Sequence, residues 1–329
     1  MSVKSLPIGR FSESVRKKRA AVVLGAAIAF ASAPAIEARA DEGGSGFWMP
    51  GSFAFQAAVP DPLGFSLETN YYHATQSFDP SRYITRGRNQ ITGLYASSNL
   101  LIVTPTYALL TPGIGGQLEL SATLQWGNYT AADPGTTNAD TMTGLGDISP
   151  AATQKWTVGA HSFMAYAAAN IPTGIYDAGR LASTGLGHWS FDSGVGYTYY
   201  KEKTGHEFSA VLGFTFNLMN PSTAYQSGVD LHLDLSASQF LTDKFYAGAV
   251  GYLYKQISGD TGPGAVFGAF QSSVVGVGPQ LGYNLSLGGH DASISTRAYY
   301  EVAGQNRPEG WTAWVTFTIA LSARPPGDG

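Results

Sequence analysis

The chain has 329 residues, 19 Lys+Arg against 23 Asp+Glu, and no cysteine. The last point excludes thiolate chemistry, disulfides and cysteine-ligated metals. Charged residues are only 13%, against roughly 25% in an average globular domain, while there are 41 glycines and aromatics reach 12%. That mixture suits strands with one face in lipid and aromatic belts at the interfaces.

The first 40 residues read as a cleaved signal peptide. Lys4, Arg10, Arg16, Lys17, Lys18 and Arg19 precede an Ala-rich apolar stretch from Ala20 to Ala33, and Ala38-Arg39-Ala40 has the small-x-small form of a cleavage site. The stretch is shorter than the roughly 20 residues of a spanning helix. Without this segment 12 basic residues face 21 acidic ones, a formal charge of −9, so nucleic acid is not an expected partner. No later segment is apolar for long enough to cross as a helix, so a membrane placement requires a closed barrel.

Residues 41–64 interrupt any ladder with Pro50, Pro60 and Pro62 but carry Phe47, Trp48, Phe53 and Phe55. Two readings stand: a short plug in the lumen whose aromatics meet a ligand, or a segment packed on the rim.

From 65 to 321 the dominant signal is period-two alternation. In 117–126, Leu118, Leu120, Ala122, Leu124 and Trp126 oppose Gln117, Glu119, Ser121, Thr123 and Gln125. Equally clean alternation runs through 207–218, 229–237 and 311–321. Twelve strands are expected near 65–74, 90–110, 117–127, 144–155, 161–172, 188–200, 206–218, 229–239, 245–257, 271–285, 291–302 and 311–321. Two of them, 90–110 and 245–257, are apolar on both parities, which an inner face carrying Tyr246, Tyr252 and Tyr254 would explain for the second.

The connections alternate long (75–89, 128–143, 173–187, 219–228, 258–269, 303–310) and short (111–116, 156–160, 201–205, 240–244, 286–290), the asymmetry of outer-membrane barrels. The expected fold is therefore all-β: a transmembrane antiparallel up-and-down barrel of about twelve strands, both termini periplasmic, with 322–329 a periplasmic tail. A soluble sandwich or lipocalin-like barrel is the alternative. Trp126, Trp156, Trp189, Tyr197, Tyr199, Trp311 and Trp314 fall near strand ends, where amphipathic rings favour the interface. SARPPGDG follows Leu321 in place of a terminal aromatic, so Phe317 is left as a partial signal for the barrel-assembly machinery.

On the polar parity lie Glu119, Asp147, Asp192, Glu207, Asp230, His232, Asp234, Arg297 and Glu301. In a barrel these line the lumen, as a paired network filling a narrow bore or as a polar, mildly cation-favouring path. Asp230, His232 and Asp234 share one strand face, but residues two apart lie nearly 7 Å from each other, too far to converge on one metal ion unaided. No metal and no cofactor is expected; the glycines of TGLGHW precede no helix and are not a nucleotide fingerprint.

The phrases FWMPGSFAFQAAVP, LLIVTPTYALLTP, GLGDISP, NIPTGIYDAGRLASTGLGHWSFDSGVGYTYYKEKTGHEFSAVLGFTFN, GVDLHLDLSASQFL, GVGPQLGY and RPEGWTAWVTF span about 47–321. Together they resemble the family of outer-membrane transporters associated with the meta-cleavage pathway of phenol degradation (phenol MetA-pathway proteins). The resemblance implies an outer-membrane barrel linked to uptake of aromatic or other hydrophobic compounds, and it brings no catalytic residues. The expected function is facilitated diffusion of small apolar or aromatic solutes through the outer membrane, with that solute and membrane lipid as partners, and without enzymatic activity. The alternatives are a general porin without ligand preference and an outer-membrane lipid hydrolase, which would need a Ser–His pair on the outer wall.

Overall fold

The computed structural model describes residues 46–77, 83–86, 89–132 and 139–322, with the backbone alone for 83–86 and 89–92. The expected signal peptide, residues 41–45 and the tail beyond Ser322 lie outside the described residues.

In chain order the strands are β1 (Gly64–Ser77), β2 (Tyr83–Arg86), β3 (Asn89–Thr92), β4 (Tyr95–Leu110) and β5 (Gln117–Ala132). They continue with β6 (Ala139–Leu145), β7 (Ser149–Val158), β8 (His161–Asn170), β9 (Ser190–Lys201) and β10 (His206–Asn217). The last five are β11 (Asp230–Phe240), β12 (Phe245–Gln256), β13 (Ser273–Leu287), β14 (His290–Gln305) and β15 (Glu309–Ala320). No α-helix occurs among the described residues. Each wall strand pairs antiparallel with its neighbour, β15 returns to β1, and β4 pairs with both β1 and β5, so the sheet closes. β6 and β7 share β5 as partner and act as one interrupted strand, giving a twelve-stranded barrel plus the small β2–β3 hairpin in the first long connection.

Closure follows from the alternation. On β5, Leu120 is 47% exposed while neighbouring Glu119 is 5% exposed, so successive residues face opposite sides of the wall. The same division places Phe65, Leu101, Phe191, Phe208, Phe216 and Val315 outside. A closed ladder satisfies the backbone, and this apolar outer face matches lipid rather than water. The short connections use tight turns: Gly288 and Gly289, at φ 58° and 85°, link β13 to β14 in a two-residue hairpin that demands left-handed backbone at both positions.

Several boundaries differ from the sequence pattern. β14 and β15 run on past the expected 303–310 loop, leaving only 306–308 between them, and β5 and β6 extend through most of 128–143. The outward residues of these extensions, Asn128, Thr130, Thr141 and Thr143, hydrogen-bond to one another, so this wall continues above the apolar band into water. The expected strand near 144–155 is broken at 146–148, where Gly146, Asp147 and Ile148 oppose only Leu124 and Gln125. Trp314 is a correction: it is 4% exposed and faces inward, donating to the carbonyl of Pro50 at 3.2 Å under the guanidinium of Arg297, and so does not belong to an interfacial belt.

Candidate functional site

The N-terminal segment runs inside the barrel, and almost every anchor it uses is an inward-facing side chain on a distant strand. The Trp48 indole donates to Asp234 Oδ2 at 3.0 Å, stacks on the rings of His232 and Tyr254 (5.1 and 5.8 Å between centroids), and meets Tyr252 edge-on. Arg297 donates to the carbonyl of Gly51 at 3.1 Å. Gly51 sits at φ +79° against the Tyr299 ring, where a Cβ would lie 2.5 Å from a ring carbon, so only glycine fits. Lower down, Phe53 packs on Tyr166 and Phe55 stacks on Tyr246 at 3.7 Å. The backbone amides of Gln56, Ala58 and Asp61 donate to Glu207, Thr198 and Glu119, each at 3.0 Å.

All nine polar residues singled out by parity are buried inside the wall. They divide into groups. Asp192 accepts from His232 Nε2 at 3.0 Å, and His232 Nδ1 lies 3.8 Å from Asp234. Asp230 accepts from Tyr254 (2.8 Å) and Asn217 (3.0 Å), which separates it from that His-centred group despite the shared strand face. Glu207 holds Gln56 and Ser236. Glu301 binds Tyr252, Gln76 and the amide of Gly310, tying β12, β1 and β15 together. At the end of the barrel carrying the short turns, Glu119 pairs with Lys155 at 2.9 Å, and Lys155 also donates to the carbonyl of Val59.

The inner wall is lopsided. β1, β12, β14 and β15 present Tyr72, Tyr246, Tyr252, Tyr254, Tyr299 and Trp314, with Trp48 and Phe55 packed among them, while Phe53 and Ala58 pack on Met164, Tyr166 and Val211 of β8 and β10. β4, β5, β7 and β8 present Thr104, Ser121, Thr123, Ala151, Thr153 and Ala168. Between that small-residue wall and the segment lies a cavity of about 500 Å³, its apolar side made by Phe47, Trp48, Phe53, Tyr72, Tyr129 and Tyr166.

The 171–189 connection forms part of the cavity lining through Tyr176, Leu181 and Ala182. Two carboxylates hold it. Asp147, inward-facing at the break between β6 and β7, accepts from the amides of Gly174 (2.8 Å) and Leu186 (2.9 Å) and from Asn170. Asp140 accepts from Arg180 Nε (3.2 Å) and from the amides of Leu181 and Ala182. The hydrogen bond from Arg180, helped by these amides, holds the Asp140 carboxyl at about 2, well below the usual carboxylate range.

Sequence reasoning singled out Phe47, Trp48, Phe53 and Phe55 and the inward acids, but missed Lys155, Trp314 and the 171–189 connection. Lys155 was readable in principle: it lies on the same inward parity as Glu119 once β5 and β7 are paired in register at Gln117↔Lys155. The hydrolase alternative finds no serine on three of the wall and turn histidines. His73 contacts Asn99 and Thr75, His161 contacts Tyr197, and His290 contacts the carbonyl of Ala320.

Among solved structures, the fold is similar to the COG4313 outer membrane channel from Pseudomonas putida F1, with a TM-score of 0.66 at 14% identity over 80% of this chain and 98% of that one. The translocator domain of the autotransporter NalP from Neisseria meningitidis aligns more loosely, with a TM-score of 0.46 at 13% identity over 80% of this chain and 91% of that one. No curated protein matches in sequence. The model of the family described as "Putative MetA-pathway of phenol degradation" matches residues 81–317, most of the barrel, and the chain belongs to that family.

Proposed function

We propose that this protein is an outer-membrane channel that takes up small apolar or aromatic molecules by facilitated diffusion, with residues 46–62 acting as a built-in plug. The observation that carries this reading is the cavity of about 500 Å³ between the plug and the Ser/Thr/Ala wall, with Phe47, Trp48 and Phe53 on one side and Leu181 on the other. Its size and mixed lining suit a one- or two-ring solute, since ligand pockets are mostly apolar with a few placed polar groups. In this reading the 171–189 connection faces outward, the solute enters beside it, and the short turns and both termini face the periplasm. The concentration gradient drives passage and no chemistry is performed on the solute.

The test is planar-bilayer conductance of the refolded protein with toluene, phenol or decanoate added. Saturable block by toluene or phenol, weakened about tenfold in Phe53→Ala, is the expected result. Steady conductance indifferent to all three solutes would instead describe a general porin.

A further inference from the structure

Where the 171–189 connection borders the cavity, the polar groups around His188 are committed to partners of their own. Both oxygens of Asp147 are taken, Oδ1 by the amide of Gly174 and Oδ2 by the amide of Leu186 and by Asn170. The Thr184 hydroxyl accepts from the amide of Ile175 at 2.9 Å. Asn170 spends its side-chain N–H groups on Asp147 and on the carbonyl of His188, the latter at 3.1 Å. The His188 ring is different. It is buried and borders the cavity, its Nδ1 lies 3.0 Å from the carbonyl of Leu186, and no described residue hydrogen-bonds to its Nε2. By contrast His73 has partners on both ring nitrogens, and His232 stands between two carboxylates.

The orientation of this ring is built in. Gly187 has φ +74°, and a Cβ there would lie 2.5 Å from the Tyr176 ring, so the bend before His188 requires glycine. Asp147 holds the amide of Leu186 on one side of the bend, and Asn170 of β8 holds the carbonyl of His188 on the other. A carbonyl only accepts, so Nδ1 carries the hydrogen of the neutral imidazole and Nε2 carries the lone pair. The ring therefore offers the cavity an acceptor whose tautomer is set by Leu186 and whose position is set by Asp147 and Asn170.

We propose that His188 selects the solute: its Nε2 accepts a hydrogen bond from a hydroxyl or amino group carried on an aromatic ring, and the ring itself lies among Phe47, Trp48 and Phe53. The proposal rests on the reading of the chain as a channel for small apolar or aromatic solutes and adds a polar requirement to it. A hydroxy- or amino-substituted ring regains at His188 the hydrogen bond it gave up to water. A hydrocarbon or methyl ether of the same size leaves the buried nitrogen without a donor, and a polar site discriminates against an analogue lacking the matching group in this way. With the 171–189 connection facing outward, the choice is made on entry.

The test compares block of planar-bilayer conductance by phenol and by anisole, which is of similar size but has no O–H to donate. In the wild type, phenol is expected to block at a concentration about tenfold lower than anisole, the worth of one added hydrogen bond. His188→Phe should abolish that preference by weakening phenol alone. His188→Gln, whose side chain is long enough to bring an oxygen near the place of Nε2, should keep part of it. His188→Leu serves if the Phe variant does not reach the folded, heat-modifiable form. Equal block of the wild type by both solutes, an undiminished preference in His188→Phe, or a loss that falls on phenol and anisole alike overturns the role of His188 and leaves the channel reading standing. Block by neither solute overturns the channel reading, and the selection with it.

Discussion

Trp48 concentrates the plug's attachment in one side chain: a hydrogen bond to Asp234, two stacked rings and an edge contact, all inside the wall. Replacing a buried tryptophan by alanine costs about 3–5 kcal/mol through lost contacts and the cavity left behind, and here it also strips Asp234 of a donor. Trp48→Ala is expected to free the upper plug, seen as faster proteolysis before Gly64 and larger conductance fluctuations; wild-type protection would count against Trp48 as the anchor. The Lys155–Glu119 pair makes a sharper case. Removing one partner of a buried ion pair costs about 3–5 kcal/mol because the other charge stays behind uncompensated. Lys155→Met should therefore be more harmful than Lys155→Met with Glu119→Gln, a difference readable in the temperature at which the folded barrel loses its heat-modifiable gel mobility. Equal effects of the single and double variants would show that the pair is not coupled.

At the level of elements, the 171–189 connection is held by carboxylates at 140 and 147 and by Leu181 and Ala182, which pack with Leu94, Ala131 and Met142. The Asp140 carboxyl is held low by Arg180, so this contribution is fully present above the ordinary carboxylate range and is lost only as pH falls toward about 2. Limited proteolysis should find 173–187 protected from pH 7 down to pH 4 and cleaved near pH 2, whereas Asp140→Ala should be cleaved throughout. Protection in Asp140→Ala equal to wild type would dismiss the clamp. The sequence made the strands legible because lipid outside and a polar lumen inside enforce alternation on every one of them, as Glu119 and Leu120 illustrate. It did not reveal where strands stop, because outward Asn128, Thr130 and Thr141 stand above the lipid and follow no apolar rule. The break at 146–148 was equally silent, since Gly-Asp-Ile is compatible with a continuous strand until Asp147 is found satisfying a loop.

For the molecule as a whole, every ladder bond of the wall lies outside residues 46–62, so the barrel does not depend on its plug for closure. A variant lacking 46–62 is expected to fold, with heat-modifiable mobility retained, and to conduct several-fold more current than wild type in planar bilayers. Unchanged conductance would mean that the segment does not obstruct the bore. The lopsided lumen was beyond the reach of sequence because parity says which side chains face in but not which of them share a level or what fills the space between. Trp314 shows the limit well: its parity was inward and its position near a strand end, and only the plug's Pro50 carbonyl explains why a tryptophan stands there. The plug's anchors also impose an order in time. Trp48 awaits Asp234, Pro50 awaits Trp314 and Gly51 awaits Arg297, partners 186, 264 and 246 residues further along. The upper end of the segment can therefore take up its full set of anchors only once β11, β14 and β15 are in place around it.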